Sequence, residues 1–354
     1  MRASALLRRR TLTVVTACVV LGMALLVAFA GSDVPVVLAG WWRGAFGTPY
    51  NAVQTLSYAT PLVLVALGVS VALRAGMVMV GAEGQMIVGA VFATVVLHGV
   101  GPVHSLLALP LGALAGMAGG GLWSLLSGVL LLRWRVNEIL SALLADYLAI
   151  ELLAYLLRTA LRDPGGAATP QSAPLFEEAL IPRLPVPGRL HVAALVVLGI
   201  VLVALWWHHS RIAFIVDVHG QRPWLAARLG VSPASIVLST TAVSGAAAGL
   251  AGWMQLAGVD GRLHPGISAG IGFSGLVVAV LGRNHPVGIV VAAIAFASLT
   301  TGASGVQIAT GTIPASIGTV AQAVLLLAVS VAVVLTRRNV AVRRAQRKDD
   351  RAVA

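Results

Sequence analysis

Uncharged, mostly apolar runs follow one another along almost the whole chain, separated by short breaks rich in Arg, Gly or Pro. A membrane-crossing helix needs ~20 predominantly apolar residues. The pattern predicts such helices over residues 11–30, 51–73, 84–100, 103–132, 138–158, 190–207, 233–256, 267–282, 286–305 and 313–336. The expected fold is an all-α polytopic membrane protein of about ten transmembrane helices, since only helices or closed barrels satisfy the backbone in lipid. An even number of crossings puts both termini on one side, and basic residues choose that side. With a cytoplasmic N-terminus, the inside segments hold eighteen basic residues, among them Arg74, Arg133, Arg135, Arg211, Arg222, Arg228 and Arg283. The outside segments hold six: Arg43, Arg158, Arg162, Arg183, Arg189 and Arg262. Both termini are therefore expected in the cytoplasm. Residues 1–10 form a basic N-terminus, 11–336 a single transmembrane domain and 337–354 a basic tail.

The start of the chain has a second reading. Arg8 to Arg10, an apolar run and Ala28-Phe29-Ala30 resemble a cleavable signal peptide, but the run exceeds the usual apolar core of roughly 7–15 residues, which favours a retained anchor. Small residues recur every fourth position at Gly112, Gly116, Gly120, Ser124 and Gly128, and again at Gly245 and Gly249. Such stripes let helix backbones approach closely where lipid gives no hydrophobic drive. The one long outside segment, 159–191, contains Pro164, Pro170, Pro174, Pro182, Pro185 and Pro187, too many for a long helix. It reads either as a passive linker or as a cap that receives an extracytoplasmic protein.

Composition narrows the function classes. Of 354 residues, 58% are hydrophobic and 10% charged, outside the range of soluble domains. The net charge of +12 resides in short loops and tails, which reports topology and implies no nucleic acid partner. Lys348 is the only lysine, so a nucleotide-binding P-loop, which requires Gly-Lys-Ser/Thr, cannot be written in this sequence. Cys18 is the only cysteine, excluding an intrachain disulfide or a cysteine-ligated metal. His208-His209 reads as a polar helix flank, and no metal site is expected.

The longest inside loop, 208–232, has its own organisation. Pro223 is placed as a first-turn proline and Gly230 as a helix stop, predicting a two-turn helix over 223–229. Ser232-Pro233 then reads as the cap and first turn of the next span. The short helix sets Trp224 and Leu225 between Arg222 and Arg228. Trp224 fits either a lipid-interface anchor or an apolar knob for a groove on a partner.

Gly220, Pro223, Ala226, Gly230 and Val231 in this loop resemble the coupling loop of bacterial ABC importer permeases of the branched-chain amino acid, ribose and nucleoside superfamily. Asp217 and Arg222 stand where that family usually has Arg and Asn, and Leu225 replaces one of its paired alanines. Three further segments are similar to the nucleoside and simple-sugar branch: Gly81-Ala82-Glu83-Gly84-Gln85, Val136-Asn137-Glu138, and Gly272-Phe273-Ser274-Gly275 followed by Gly282-Arg283-Asn284-His285-Pro286-Val287-Gly288. The likeness covers roughly residues 45–335. It implies two pseudo-symmetric halves, a bacterial inner-membrane location, a separate ABC ATPase that binds ATP and magnesium, a second permease subunit and an extracytoplasmic binding protein. It implies coupling roles for Gly220, Arg222, Pro223, Trp224, Leu225, Arg228 and Gly230, and a substrate path near Glu83, Gln85, Asn137, Glu138, Asp146 and Phe273.

The residues support that path independently. Gly76, Gly81 and Gly84 around Glu83 favour a broken segment over a clean helix, and Gly266, Gly270, Gly272 and Gly275 form a matching interruption in the other half. In the fifth run, Glu138, Ser141, Ala142, Ala145, Asp146 and Ala149 share one face at 100° per residue. An ionised Asp146 at mid-membrane costs about 2.5–3.5 kcal/mol, so it faces a cavity, pairs, or is protonated. The family position usually holds Asn, and a structural bond and a substrate contact both fit. Glu151 lies on the opposite face near the outer end, where this pattern gives it no role. Asn51 and Gln54 are further polar positions. The expected function is inward movement of a nucleoside or simple sugar by an ABC importer, without chemistry on the substrate. The alternative is a proton-coupled carrier of a small polar solute using Asp146 or Glu83.

Overall fold

A computed structural model describes residues 34–165, 169–325 and 327. Its helices are α1 (Val34–Phe46), α2 (Pro49–Arg74), α3 (Ala82–Val100), α4 (Ser105–Trp134), α5 (Glu138–Arg158), α6 (Ala193–His208), α7 (Arg211–Gln221), α8 (Pro223–Arg228), α9 (Pro233–Gln255), α10 (Ile271–Leu281) and α11 (Pro286–Thr310). Among the described residues there is no β-strand, only an isolated pairing of Arg183 with His191. Among the described residues, six helices are long and apolar enough to cross a membrane, or seven if α6 and α7, bent by 71°, form one span. The chain is a multi-pass membrane protein.

Two expectations are corrected. The run at 267–282 forms only an 11-residue helix, α10, after a turn at Gly266–Gly270. At 1.5 Å per residue it reaches about 16 Å, half of a bilayer core. The segment before the second run, expected to be a loop, holds α1. The predicted first span, 11–30, lies outside the described residues, as do residue 326 and residues 328–336 of the last predicted span.

Two compact units are described separately. In residues 53–295 the centre is a seam of small residues. A Cβ on Gly249 would strike the backbone of Gly116 and Gly120, one on Gly89 would strike Gly249, and one on Gly252 would strike Met86. Buried Ser124 Oγ donates to the Thr241 carbonyl at 2.7 Å across the same seam. The stripes on α4 and α9 therefore face each other, with α3 against both. In the second unit, Gly40 and Gly44 of α1 meet Gly302 and Gly305 of α11 in the same way, and Trp41 Nε1 donates to Ser298 O at 2.9 Å.

The proline-rich segment is tied down by its backbone. Ser172 exchanges two 2.9 Å bonds with Leu263, Leu175 N donates to Gly261 O at 2.8 Å and Ile181 N to Ala257 O at 2.9 Å. With Leu175, Ala179 and Ile181 buried, its 172–181 part lies over the π-helical turn Leu256–Asp260 that ends α9.

Gly249→Leu forces a side chain into the seam, and overpacking costs about 1–3 kcal/mol. A lower melting temperature in detergent is expected, while Gly199→Leu on α6, where a Cβ meets nothing within 4 Å, leaves it unchanged. Equal melting of both variants would rule out the seam.

Candidate functional site

A helix N-terminus exposes N–H groups without intrahelical partners, and neither α3 nor α10 has a side chain of its own at the N-cap to accept them. Neighbouring helices supply the acceptors. Asp146 of α5 reaches the first turn of α3, its Oδ1 accepting from Gly84 N at 2.7 Å. Glu83, one residue earlier in that turn, reaches α10: Oε1 accepts from Gly270 N at 3.0 Å and Oε2 from Gly272 N at 2.8 Å. Gly270 is left-handed, φ 76°, which lets the chain turn both N–H groups toward one carboxylate. A Cβ on Gly272 would overlap the Glu83 backbone, and one on Gly84 would overlap Asp146. The two glycine-rich interruptions thus meet at one carboxylate, placed on the positive end of a half-length helix.

Each acidic residue is buried, Asp146 to 2% exposure. Burial of a charge is tolerable only where hydrogen bonds replace water, and a bond to a charged group contributes about 1.5–3 kcal/mol. The relay therefore holds the N-terminal ends of α3 and α10 to each other and to the middle of α5. Buried Gln85 donates to Met79 Sδ at 3.5 Å. Its Oε1 and Asp146 Oδ2 have no partner among the described residues.

The remaining path candidates do other work. Asn137 caps α5, its Oδ1 accepting from Ile139 N at 3.0 Å and Leu140 N at 3.3 Å. Glu138 Oε1 accepts from Val78 N at 3.0 Å, fastening the Gly76–Gly81 break to the start of α5. Phe273 is part of α10 and partly exposed. Asn51 Nδ2 donates to Arg43 O at 2.7 Å, a local turn contact. An apolar cavity of about 380 Å³ lies between α2, α6, α7 and α9, lined by Leu64, Leu67, Val71, Val203, Trp207 and Val216. That lining offers little to a polar solute.

The segment expected as a loop with one short helix contains two helices, because Ser210 caps the first, accepting from Ala213 N at 3.2 Å. α7 is clamped to the end of α2. Arg74 makes a bidentate pair with Asp217, Nε to Oδ1 and Nη2 to Oδ2 both at 2.7 Å. His208 Nδ1 lies 2.8 Å from Arg74 Nη1, and the Trp207 ring lies 4.9 Å from the guanidinium. His219 Nδ1 lies 3.1 Å from Ala75 O, and Gly220 sits against the backbone of Arg74 to Gly76 with no room for a side chain. Asp217, a departure from the family pattern, is thus half of an ion pair, and its partner Arg74 and neighbouring His208, read from the sequence as a topology marker and a polar helix flank, both belong to the clamp.

α8 then runs as predicted to within a residue, with Pro223 in its first turn and Gly230, φ 81°, after its end. Arg222 is the extended hinge between α7 and α8. Ala226 is buried and Leu225 half-buried, while Trp224 is 56% exposed with Arg228 stacked 5.1 Å from its ring. The exposed side is an apolar and cationic knob on a clamped base.

Comparison with known proteins agrees with these features. The family described as branched-chain amino acid transport system / permease component matches residues 51–335. The chain is 34% identical to the glucose ABC transporter permease protein TsgB13 of Haloferax volcanii over 78% of this chain and 75% of that protein. It is 30% identical to the guanosine ABC transporter permease protein NupP of Bacillus subtilis, over 88% of this chain and 91% of that one. The probable riboflavin import permease protein RfuC of Treponema pallidum is 26% identical over 81% and 78%. No solved structure matches. With the family match over most of its length, the chain belongs to the branched-chain amino acid transport system permease family.

Proposed function

We infer that this chain is the membrane-spanning permease subunit of an ABC importer that carries a nucleoside or a simple sugar inward. It performs no chemistry on its cargo. Relatives named for glucose and guanosine support that substrate class, since both solutes are polar rings bearing hydroxyls. In this reading the chain lies in the bacterial inner membrane with both termini cytoplasmic and about ten spans, the first one retained. A second permease subunit, an ABC ATPase that holds ATP and magnesium, and an extracytoplasmic binding protein complete the transporter. The tied-down 159–191 segment is the surface offered to that binding protein.

The observation that carries the reading is the clamp. Trp224 and Arg228 form a docking knob, α8 is joined through Arg222 to α7, and α7 grips the end of α2 through Arg74 and Asp217. That end leads directly into the break that sets Glu83. Movement of a docked ATPase at α8 therefore has a mechanical route to the capped ends of α3 and α10, near Gln85 and Asp146. Phe273, at the start of α10, moves with them. A proton-coupled carrier would use Glu83 or Asp146 to take up protons, yet three of their four oxygens accept backbone N–H groups.

Uptake by the assembled transporter in proteoliposomes should be vanadate-sensitive and unaffected by an uncoupler; collapse with the uncoupler alone would establish the carrier instead. Trp224→Asp should abolish co-purification of the ATPase without affecting membrane insertion. Arg74→Asp and Asp217→Arg should each retain the ATPase but lose most uptake, through loss of about 1.5–3 kcal/mol of charge-assisted bonding. The double exchange should recover part of it, and a double variant no better than either single one would remove the clamp from the coupling route. Asp146→Asn keeps an acceptor for Gly84 N and should retain uptake, whereas Asp146→Leu should lower thermal stability by about 1–3 kcal/mol. Total loss of uptake in the Asn variant, with stability intact, would show that the charge itself is required.

A further inference from the structure

Among the described spans, only Asp146 and Glu151 place a charged side chain well inside a helix, and they point in opposite directions. Asp146 is buried against α3, and Glu151 is exposed. At 1.5 Å per residue Glu151 lies roughly 20 Å from the Glu138 end of α5 and about 10 Å from the Arg158 end. A glutamate side chain is too short to reach an interface from that depth. Facing lipid, an ionised carboxylate there would cost about 2.5–3.5 kcal/mol, and it makes no hydrogen bond or ion pair with any described residue to offset that.

One of its neighbours, Tyr147, is equally out of place in lipid, while Tyr155 lies near the Arg158 end of the helix. Tyr147 and Tyr155 stand one turn before and one turn after, on the same face, 68% and 64% exposed. They are two of the four tyrosines in the sequence. Tyrosines favour the membrane interface, where the hydroxyl meets water, and Tyr147 lies near the middle of α5. α6 shows what an outward face without such groups looks like: its exposed side chains include Leu195, Val196, Leu198, Leu202 and Val203.

Resting on the importer reading above, we propose that the Tyr147–Glu151–Tyr155 face of α5 lines the aqueous substrate path, with Glu151 accepting hydroxyl hydrogens of the cargo and the tyrosine rings stacking on its ring. The ligand class follows from the side chains. A carboxylate accepts from neighbouring hydroxyls, and aromatic faces stack on bases at about 1–3 kcal/mol each. A nucleoside offers hydroxyls and a flat base together, and a pyranose offers hydroxyls beside an apolar C–H face. The path thereby lies on the side of α5 opposite Asp146, whose own face is consumed in capping α3.

Single cysteines at 147, 151 and 155, introduced by Tyr147→Cys, Glu151→Cys and Tyr155→Cys into the full chain carrying Cys18→Ser, test this in native membranes. The probe is a charged methanethiosulfonate reagent, which reacts with thiolate and so needs water at the site. Labelling at 151 roughly tenfold faster than at a Leu202→Cys reference on α6 is expected. Glu151→Leu supplies the second readout: at a lipid contact it leaves uptake intact, whereas in the path it lowers uptake severalfold while the ATPase still co-purifies. Labelling no faster than the reference, a disulfide between two copies at 151 that excludes the reagent, or undiminished uptake in the Leu variant each overturns the assignment. Labelling needs no transport, so vanadate-resistant uptake with fast labelling would reject the importer reading while leaving the wet face in place.

Discussion

The Glu83 carboxylate, closed on the N–H groups of Gly270 and Gly272, is the constraint around which the described helices of the larger unit are arranged. A half-length helix that begins inside a membrane presents bare donors where water is scarce, and each unpaired donor costs several kcal/mol. Glu83 meets two of them at once and brings a charge of the right sign to the positive helix end. Because Glu83 itself sits in the first turn of α3, and that turn is held by Asp146, the position of α10 is fixed from α5 through α3. The relay makes the first turns of α3 and α10 depend on each other and on the middle of α5.

Against this network, the cationic side of the protein works by a different rule. Arg74 is bound twice by Asp217, approached by His208 and covered by Trp207, so its geometry is fixed more tightly than a surface ion pair would allow. The clamp and the carboxylate relay are joined by the short break from Gly76 to Gly81, itself fastened to α5 by Glu138. A displacement at one therefore cannot be absorbed locally; it is handed on through six residues of chain that have little slack.

Much of this was legible in the residues. The glycine stripes on α4 and α9 announced a close helix pair, because spacing alone fixes which side chains share a face, and the structure sets those stripes together. The Pro223 to Gly230 frame gave α8 to within a residue, since proline and glycine act locally. The two glycine-rich interruptions were visible as interruptions, but that one residue bridges them depends on three-dimensional proximity between positions 83 and 270, which no spacing rule encodes. For the same reason Arg74 was counted as a topology marker when it is also an ion-pair partner, and Ser210 was not recognised as a cap because the 11-residue helix it opens is too short to span and was read as part of the loop. On α5 the pattern put Asp146 and Glu151 on opposite faces; burial shows that Asp146 serves a helix end, while Glu151 stands exposed on the other side.

The glycine seam has a dynamic consequence. Where Gly89, Gly116, Gly120 and Gly249 meet, backbone touches backbone, and there are no side-chain rotamers to exchange as the helices shift. A contact of that kind cannot creep through intermediate packings; it holds its register or separates. α3, α4 and α9 are thereby cast as one solid piece, and any change of shape during a work cycle is confined to the joints at its edges: the turn before α10 and the bend between α6 and α7.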